Sequence, residues 1–191
     1  KEIERKPFEM PKAYWNMDRV KDYLCNVRGI DEEVIQAFVD KKMIFESLDY
    51  HNAVFVGFDK NSVPRHANKR GILKGSTFKG NAEGSLDEFA FHWIGTNNKL
   101  FLFEAPIDML SYICMNKENW KENNYAASCS VLDRVLFQGF DLFVVGFLHR
   151  RLMMLDNMNG YKSEIIVPSY KDWNEDYLNA DEDGSEINWV I

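Results

Sequence analysis

The spacing of apolar residues changes along the chain, and each change predicts a different kind of element. Val20, Tyr23 and Leu24 lie on one helical stripe that stops near Gly29. Val34, Ile35 and Phe38 form a second stripe after Asp31, an N-cap residue followed by acids in the first turn. Two short helices joined by a glycine turn are therefore expected. "AVFVGFD" is a continuous run of β-branched and aromatic residues and predicts a strand ending at the turn "DKNSVP". Beyond it Gly71, Gly75, Gly80, Gly84 and Gly95 break the sequence into short strands, the last being Leu100–Phe103. From Pro106 the helical period returns, with Ile107, Leu110, Ser111 and Cys114 on one face. "SVLDRVLFQ" predicts a further helix, and "FDLFVVGFL", "RRLMMLD" and "SEIIVP" predict strands. The change from strand-rich to alternating sequence near residues 95–99 predicts an α/β chain. Residues 1–98 would form an N-terminal domain of helices then short strands, and residues 99–191 a parallel sheet flanked by helices.

Composition adds limits rather than an identity. The 191 residues are 46% apolar, 14% aromatic and 28% charged, enough for a globular core. No apolar run reaches the roughly 18 residues of a membrane span, and no signal-peptide pattern opens the chain, so no membrane partner is expected. The first residue is Lys, and the chain is expected to be part of a longer protein. Cys25, Cys114 and Cys129 are odd in number and widely spaced, which suggests reduced thiols in a cytoplasmic protein and no cysteine zinc site. Net charge is −7, which argues against indiscriminate coating of nucleic acid. The charge is uneven: Lys60, Arg65, His66, Lys69, Arg70, Lys74 and Lys79 occur with no acid between them, whereas the C-terminal residues are strongly acidic.

The stretch "LFLFEAPIDMLSY" carries the candidate chemistry. If Leu100–Phe103 is a central parallel strand, Glu104 projects at its carboxyl end, where ligand sites of such sheets gather. Pro106 starts the next helix and Asp108 lies in its first turn. Hard divalent ions bind one or two carboxylates together with waters and phosphates, so the pair suits Mg²⁺ or Mn²⁺. The competing reading is that Glu104 marks the strand's exit to water and Asp108 favours the helix N-terminus. Asp172 in "KDWNED" either adds a third carboxylate or caps the helix "WNEDYLN".

An apolar strand, then Glu104, the small and turn residues Ala105 and Pro106, and Asp108 as a helix begins resembles the first signature of the toprim (topoisomerase–primase) superfamily. "YLCNVRGIDEEVIQAFVDKKMIFES", "RHANKRG", "TFKGNAEGS" and "PSYKDWNEDY" further resemble primase-like proteins of bacterial conjugative mobile elements. In those proteins a domain of unknown function precedes the toprim domain. The resemblance implies a toprim-like parallel sheet over 99–191 and catalytic and metal roles for Glu104 and Asp108. It also implies DNA as partner, a nucleoside triphosphate as a possible substrate, and contacts with replication or conjugation proteins. The second toprim signature, Asp-x-Asp, is degenerate here: "LMMLDNMNG" keeps Asp156 but places Met158 where the second Asp belongs. A thioether is a poor ligand for a hard ion. The resemblance thus implies either a Mg²⁺-dependent primase-like nucleotidyl transferase or nicking enzyme, or an inactive toprim module that binds DNA or a replication or relaxase partner. Arg65, Lys69, Arg70 and Lys79 are the nucleic-acid candidates; a solvated cationic face is the alternative.

Overall fold

The computed structural model describes residues 6–127, 141–145 and 163–183. Asp156 and Met158, "SVLDRVLFQ" and "RRLMMLD" lie outside them. The first helical stripe folds as α1 (Asp18–Asp22) and runs on as a π-helical stretch, Tyr23–Val27. It stops where Gly29 takes φ +71°, a left-handed conformation that a Cβ would penalise. α2 (Glu32–Asp40) follows and buries Val34, Ile35 and Phe38. Asp31 has the extended backbone of an N-cap, but its carboxylate turns away from the helix to pair with Lys117.

Four strands come next: β1 (Ile44–Glu46), β2 (Ala53–Phe58), β3 (Pro64–Arg70) and β4 (Lys79–Asn81). They form an antiparallel sheet in the order β1-β2-β3-β4. β2 is apolar because both its faces are buried. β3, "PRHANKR", is polar because much of it stays half-exposed, which hides it from a reading based on apolar runs.

The second sheet contains β5 (Phe91–Trp93), β6 (Lys99–Phe103), β7 (Asn124–Ala127), β8 (Asp141–Val145) and β9 (Ser163–Ile166). Its order is β5-β7-β6-β8-β9. β6 pairs parallel with both neighbours, Leu100 facing Asn124 on one side and Leu142 on the other. β8 and β9 are also parallel, and β5 is an antiparallel edge. The chain therefore mixes helices with both kinds of sheet. α3 (Pro106–Met115) follows β6, and α4 (Trp173–Asp183) packs on α3.

One apolar core joins the two sheets. Phe38 of α2 is fully buried, stacks on Trp120 (centroids 5.9 Å apart, planes 13° apart), and meets Phe91 and Trp93 of β5. Val54, Val56, Ala67 and Ala82 form a smaller cluster of their own, against which Phe8 packs. Among the described residues no helix is long and apolar enough to cross a membrane.

The sheets approach closely at Gly57, where a Cβ would lie 1.6 Å from the Phe89 carbonyl oxygen. Backbone cannot yield as a side chain can, so Gly57→Ala should destabilise the fold by about 3 kcal/mol or more. Urea denaturation of the two proteins checks this.

Candidate functional site

β6 ends at Phe103 and the chain turns outward, leaving Glu104 exposed at the carboxyl end of a strand with parallel partners on both sides. Ala105 is the extended N-cap of α3 and Pro106 is its first residue, where the missing amide hydrogen is no loss. Asp108 then falls in the first turn. At the N-terminus of α4, Asp172 Oδ1 accepts a hydrogen bond from the Glu175 amide at 2.9 Å. Asp172 thus caps α4 and at the same time borders the cleft described next.

Glu104, Asp108 and Asp172 all line a cleft of about 570 Å³, together with Arg28, Arg70, Lys79 and Lys171. The cleft therefore sets carboxylates from β6, α3 and α4 against cations, two of which, Arg70 and Lys79, come from the first sheet. Asp108 keeps only partial exposure, and its carboxyl is pushed up to about 7. Burial is the largest cause, and the charges of Asp172 and Glu104 add to it. The Arg28 guanidinium and the backbone N–H of Asn174 act in the opposite direction.

Strand alternation sorts the cationic candidates. Asn68 faces Asn81 and Arg70 faces Lys79 across the β3–β4 pair, and all four line the cleft. Lys69, between them, faces Gly80 and places its ammonium 5.9 Å from the Phe78 ring centroid. Arg65 is held at 2.8 Å by Asp59, whose carboxylate also caps the turn before β3. Neither Arg65 nor Lys69 lines the cleft. Arg70 Nε is buried without a hydrogen-bond partner, an unusual condition for a guanidinium.

Glu104, Asp108, Asp172, Arg70 and Lys79 are thus brought together, while Arg65 and Lys69 are directed elsewhere. Sequence reasoning missed Arg28, Lys171, Asn174 and the Asn68–Asn81 pair. The alternation Asn68-x-Arg70 was the available signal for the last pair. Nothing local marks Arg28.

Carboxylate oxygen is the donor class that hard divalent cations take. Among the described residues no three His, Cys, Asp or Glu side chains are gathered as a metal-holding group. The donors therefore suit an open site completed by water and phosphate oxygens, not a closed cage. The charges of Asp172 and Glu104, which add to burial in lifting the Asp108 carboxyl, are what a bound cation would offset.

Comparison with known proteins shows that the fold is similar to that of primase catalytic domains. The primase fragment of the bacteriophage T7 primase-helicase matches 93% of this chain and 79% of its own length, at 19% identity and TM-score 0.58. The RNA polymerase domain of Mycobacterium tuberculosis primase DnaG, solved with a double-stranded DNA oligomer carrying a 6-nucleotide overhang, matches 85% of this chain and 70% of its own, at 10% identity and TM-score 0.55. A DnaG primase catalytic domain bound to single-stranded DNA matches 88% and 71%, at 12% identity and TM-score 0.54. A family described as protein of unknown function (DUF3991) matches residues 22–97. An uncharacterized Bacillus anthracis protein, pXO2-78, is 27% identical over 133 residues. That match covers 66% of this chain but 38% of the relative, so the chain spans well under half the length of the curated relative it matches.

The Asp108 carboxyl sets a pH test. Its folded value, about 7, lies above the ordinary 3.8, so its contribution to stability is full below 3.8 and is lost as pH rises through about 7. Asp108→Asn removes that loss. The metal-free variant should be more stable than the parent by on the order of 2 kcal/mol at about pH 8, with a smaller advantage at about pH 5. Denaturation midpoints at the two pH values measure it.

Proposed function

We propose that the chain is a toprim-like, DNA-associated protein of a mobile element, whose cleft takes a divalent cation and a nucleic-acid phosphate together. The observation that carries this reading is the buried, unpartnered Arg70 Nε in a cleft that also presents Glu104, Asp108 and Asp172. A guanidinium whose Nε–H lacks an acceptor is a partner for phosphate, which arginine binds through paired N–H groups. Lys79 adds charge from the facing strand. Glu104 and Asp108 would hold Mg²⁺ or Mn²⁺, with Asp172 close by as a further acid and Asp156 the candidate outside the described residues. When bound, such an ion supplies Lewis-acid stabilisation of phosphoryl oxygens.

The likeness to primase cores supports DNA as partner, with a nucleoside triphosphate as the substrate of an active form. That form would carry out a Mg²⁺-dependent, primase-like nucleotidyl transfer or nick a strand. Residues 1–98 would act as the N-terminal domain and 99–191 as the toprim-like domain. The likeness to pXO2-78 is in keeping with a mobile element, where replication or conjugation proteins are the natural partners. The free thiols of Cys25 and Cys114 suit the cytoplasm. A second reading, an inactive toprim module that binds DNA or a replication or relaxase partner, is favoured by Met158 in the degenerate second signature and by the open donor set.

Binding of a fluorescent single-stranded oligonucleotide, with and without Mn²⁺, tests the reading. Arg70→Gln with Lys79→Gln should weaken DNA about tenfold or more and flatten the salt dependence, whereas Arg65→Gln with Lys69→Gln should change it little. Glu104→Gln should abolish the Mn²⁺ response. DNA affinity indifferent to the ion and to Arg70 and Lys79 rejects the reading. Primer synthesis or nicking by the parent separates the active form from the inactive one.

A further inference from the structure

Asn174, the second residue of α4, is 1% exposed and sits among hydrogen-bond partners contributed by segments far apart in sequence. Its Oδ1 accepts from Arg28 Nη1 at 3.0 Å, and its Nδ2 donates to the Arg28 carbonyl at 2.7 Å and to Ser111 Oγ at 3.0 Å. Ser111, fully buried on α3, donates in turn to the Ile107 carbonyl at 3.0 Å. Turning the amide over would set donor against donor and acceptor against acceptor, so the network admits one orientation. Arg28 is pinned further by Nε donating to the Tyr23 hydroxyl at 2.9 Å. The next residue, Gly29, lies so close to α4 that a Cβ would meet Leu178 at 2.8 Å and Tyr177 at 3.3 Å.

These bonds converge beside the acidic side of the cleft. Arg28 and Asn174 line it, and the Arg28 guanidinium and the backbone N–H of Asn174 both favour a charged Asp108. Asp172, two residues before Asn174, is carried to the cleft by the same helix end. Holding Asp172 near Asp108 sets like charges together, so something other than their mutual interaction must keep α4 docked.

We propose that Arg28 and Asn174 form a latch that holds the start of α4 against the cleft, so that docking of α4 and binding of a divalent cation are thermodynamically coupled. They are positioning residues: they reach the cation through Asp108 and Asp172. The inference rests on reading the cleft as a cation site. Coupling is reciprocal, so a cation tightens α4 and loosening α4 weakens the cation. The segment matched to the family of unknown function, residues 22–97, thus supplies Arg28 to the acidic side of the cleft as well as Arg70 and Lys79 to the facing wall.

The test compares the parent with Arg28→Met and Asn174→Ala, and with Ser111→Ala, which removes the Ser111 hydroxyl's bonds to Asn174 and Ile107 and leaves the Arg28–Asn174 pair in place. Each is confirmed folded by circular dichroism; Mn²⁺ affinity is then measured by calorimetry, and amide hydrogen exchange of residues 175–179 with and without Mn²⁺. Mn²⁺ should slow exchange in the parent. Arg28→Met and Asn174→Ala should speed exchange in the metal-free protein and weaken Mn²⁺ about tenfold, with Ser111→Ala intermediate. If Arg28→Met fails to fold, Asn174→Ala and Ser111→Ala carry the comparison. A parent that binds no Mn²⁺ overturns the cation reading and the coupling with it. A parent that binds Mn²⁺, beside folded variants with unchanged affinity and exchange, overturns the latch alone.

Discussion

The burial of a carboxyl, Asp108, beside two further acids is the constraint around which the cleft is organised. Glu104 comes from the end of β6, Asp108 from the first turn of α3 and Asp172 from the cap of α4, and Asp108 titrates near neutrality because of burial and its neighbours. The surroundings of Asp108 act in opposite senses: burial and acids favour the neutral form, and Arg28 and the backbone N–H of Asn174 favour the charged one. That balance keeps a carboxyl poised between two states, a condition associated with sites that bind or react.

The facing wall follows a different logic. β3 carries several cations, but a strand directs successive side chains to opposite faces, and only one set reaches the cleft. Arg70 goes in, while Lys69 packs over Phe78 and Arg65 serves the turn at Asp59. A cluster of cations in sequence is therefore not a cluster in space. The Asn68–Asn81 hydrogen bond of 3.0 Å ties the two strands together on the cleft side.

Much of the helical and apolar architecture was legible because it is periodic. The stripes Val20–Leu24 and Val34–Phe38, the run 53–58 and the strand before Glu104 each state their environment in their composition. β3 was not legible, since a half-exposed polar strand has neither an apolar run nor a clean alternation. The convergence of Glu104 and Asp108 could be argued from one strand–helix junction. That of Arg28, Asn174 and Ser111 could not, because their bonds span as many as 146 residues and leave no local trace. Asp172 shows the intermediate case: "KDWNED" signals a cap, and only the docked helix reveals that the cap also borders the cleft.

The cleft is also assembled from widely separated parts of the chain, and this bears on how the protein is made. Residues 28, 70, 104 and 172 emerge from the ribosome in that order, so the antiparallel sheet and the basic wall can form while the acidic wall is still incomplete. Until the start of α4 arrives, a nascent chain presents cations without the full set of acids that faces them.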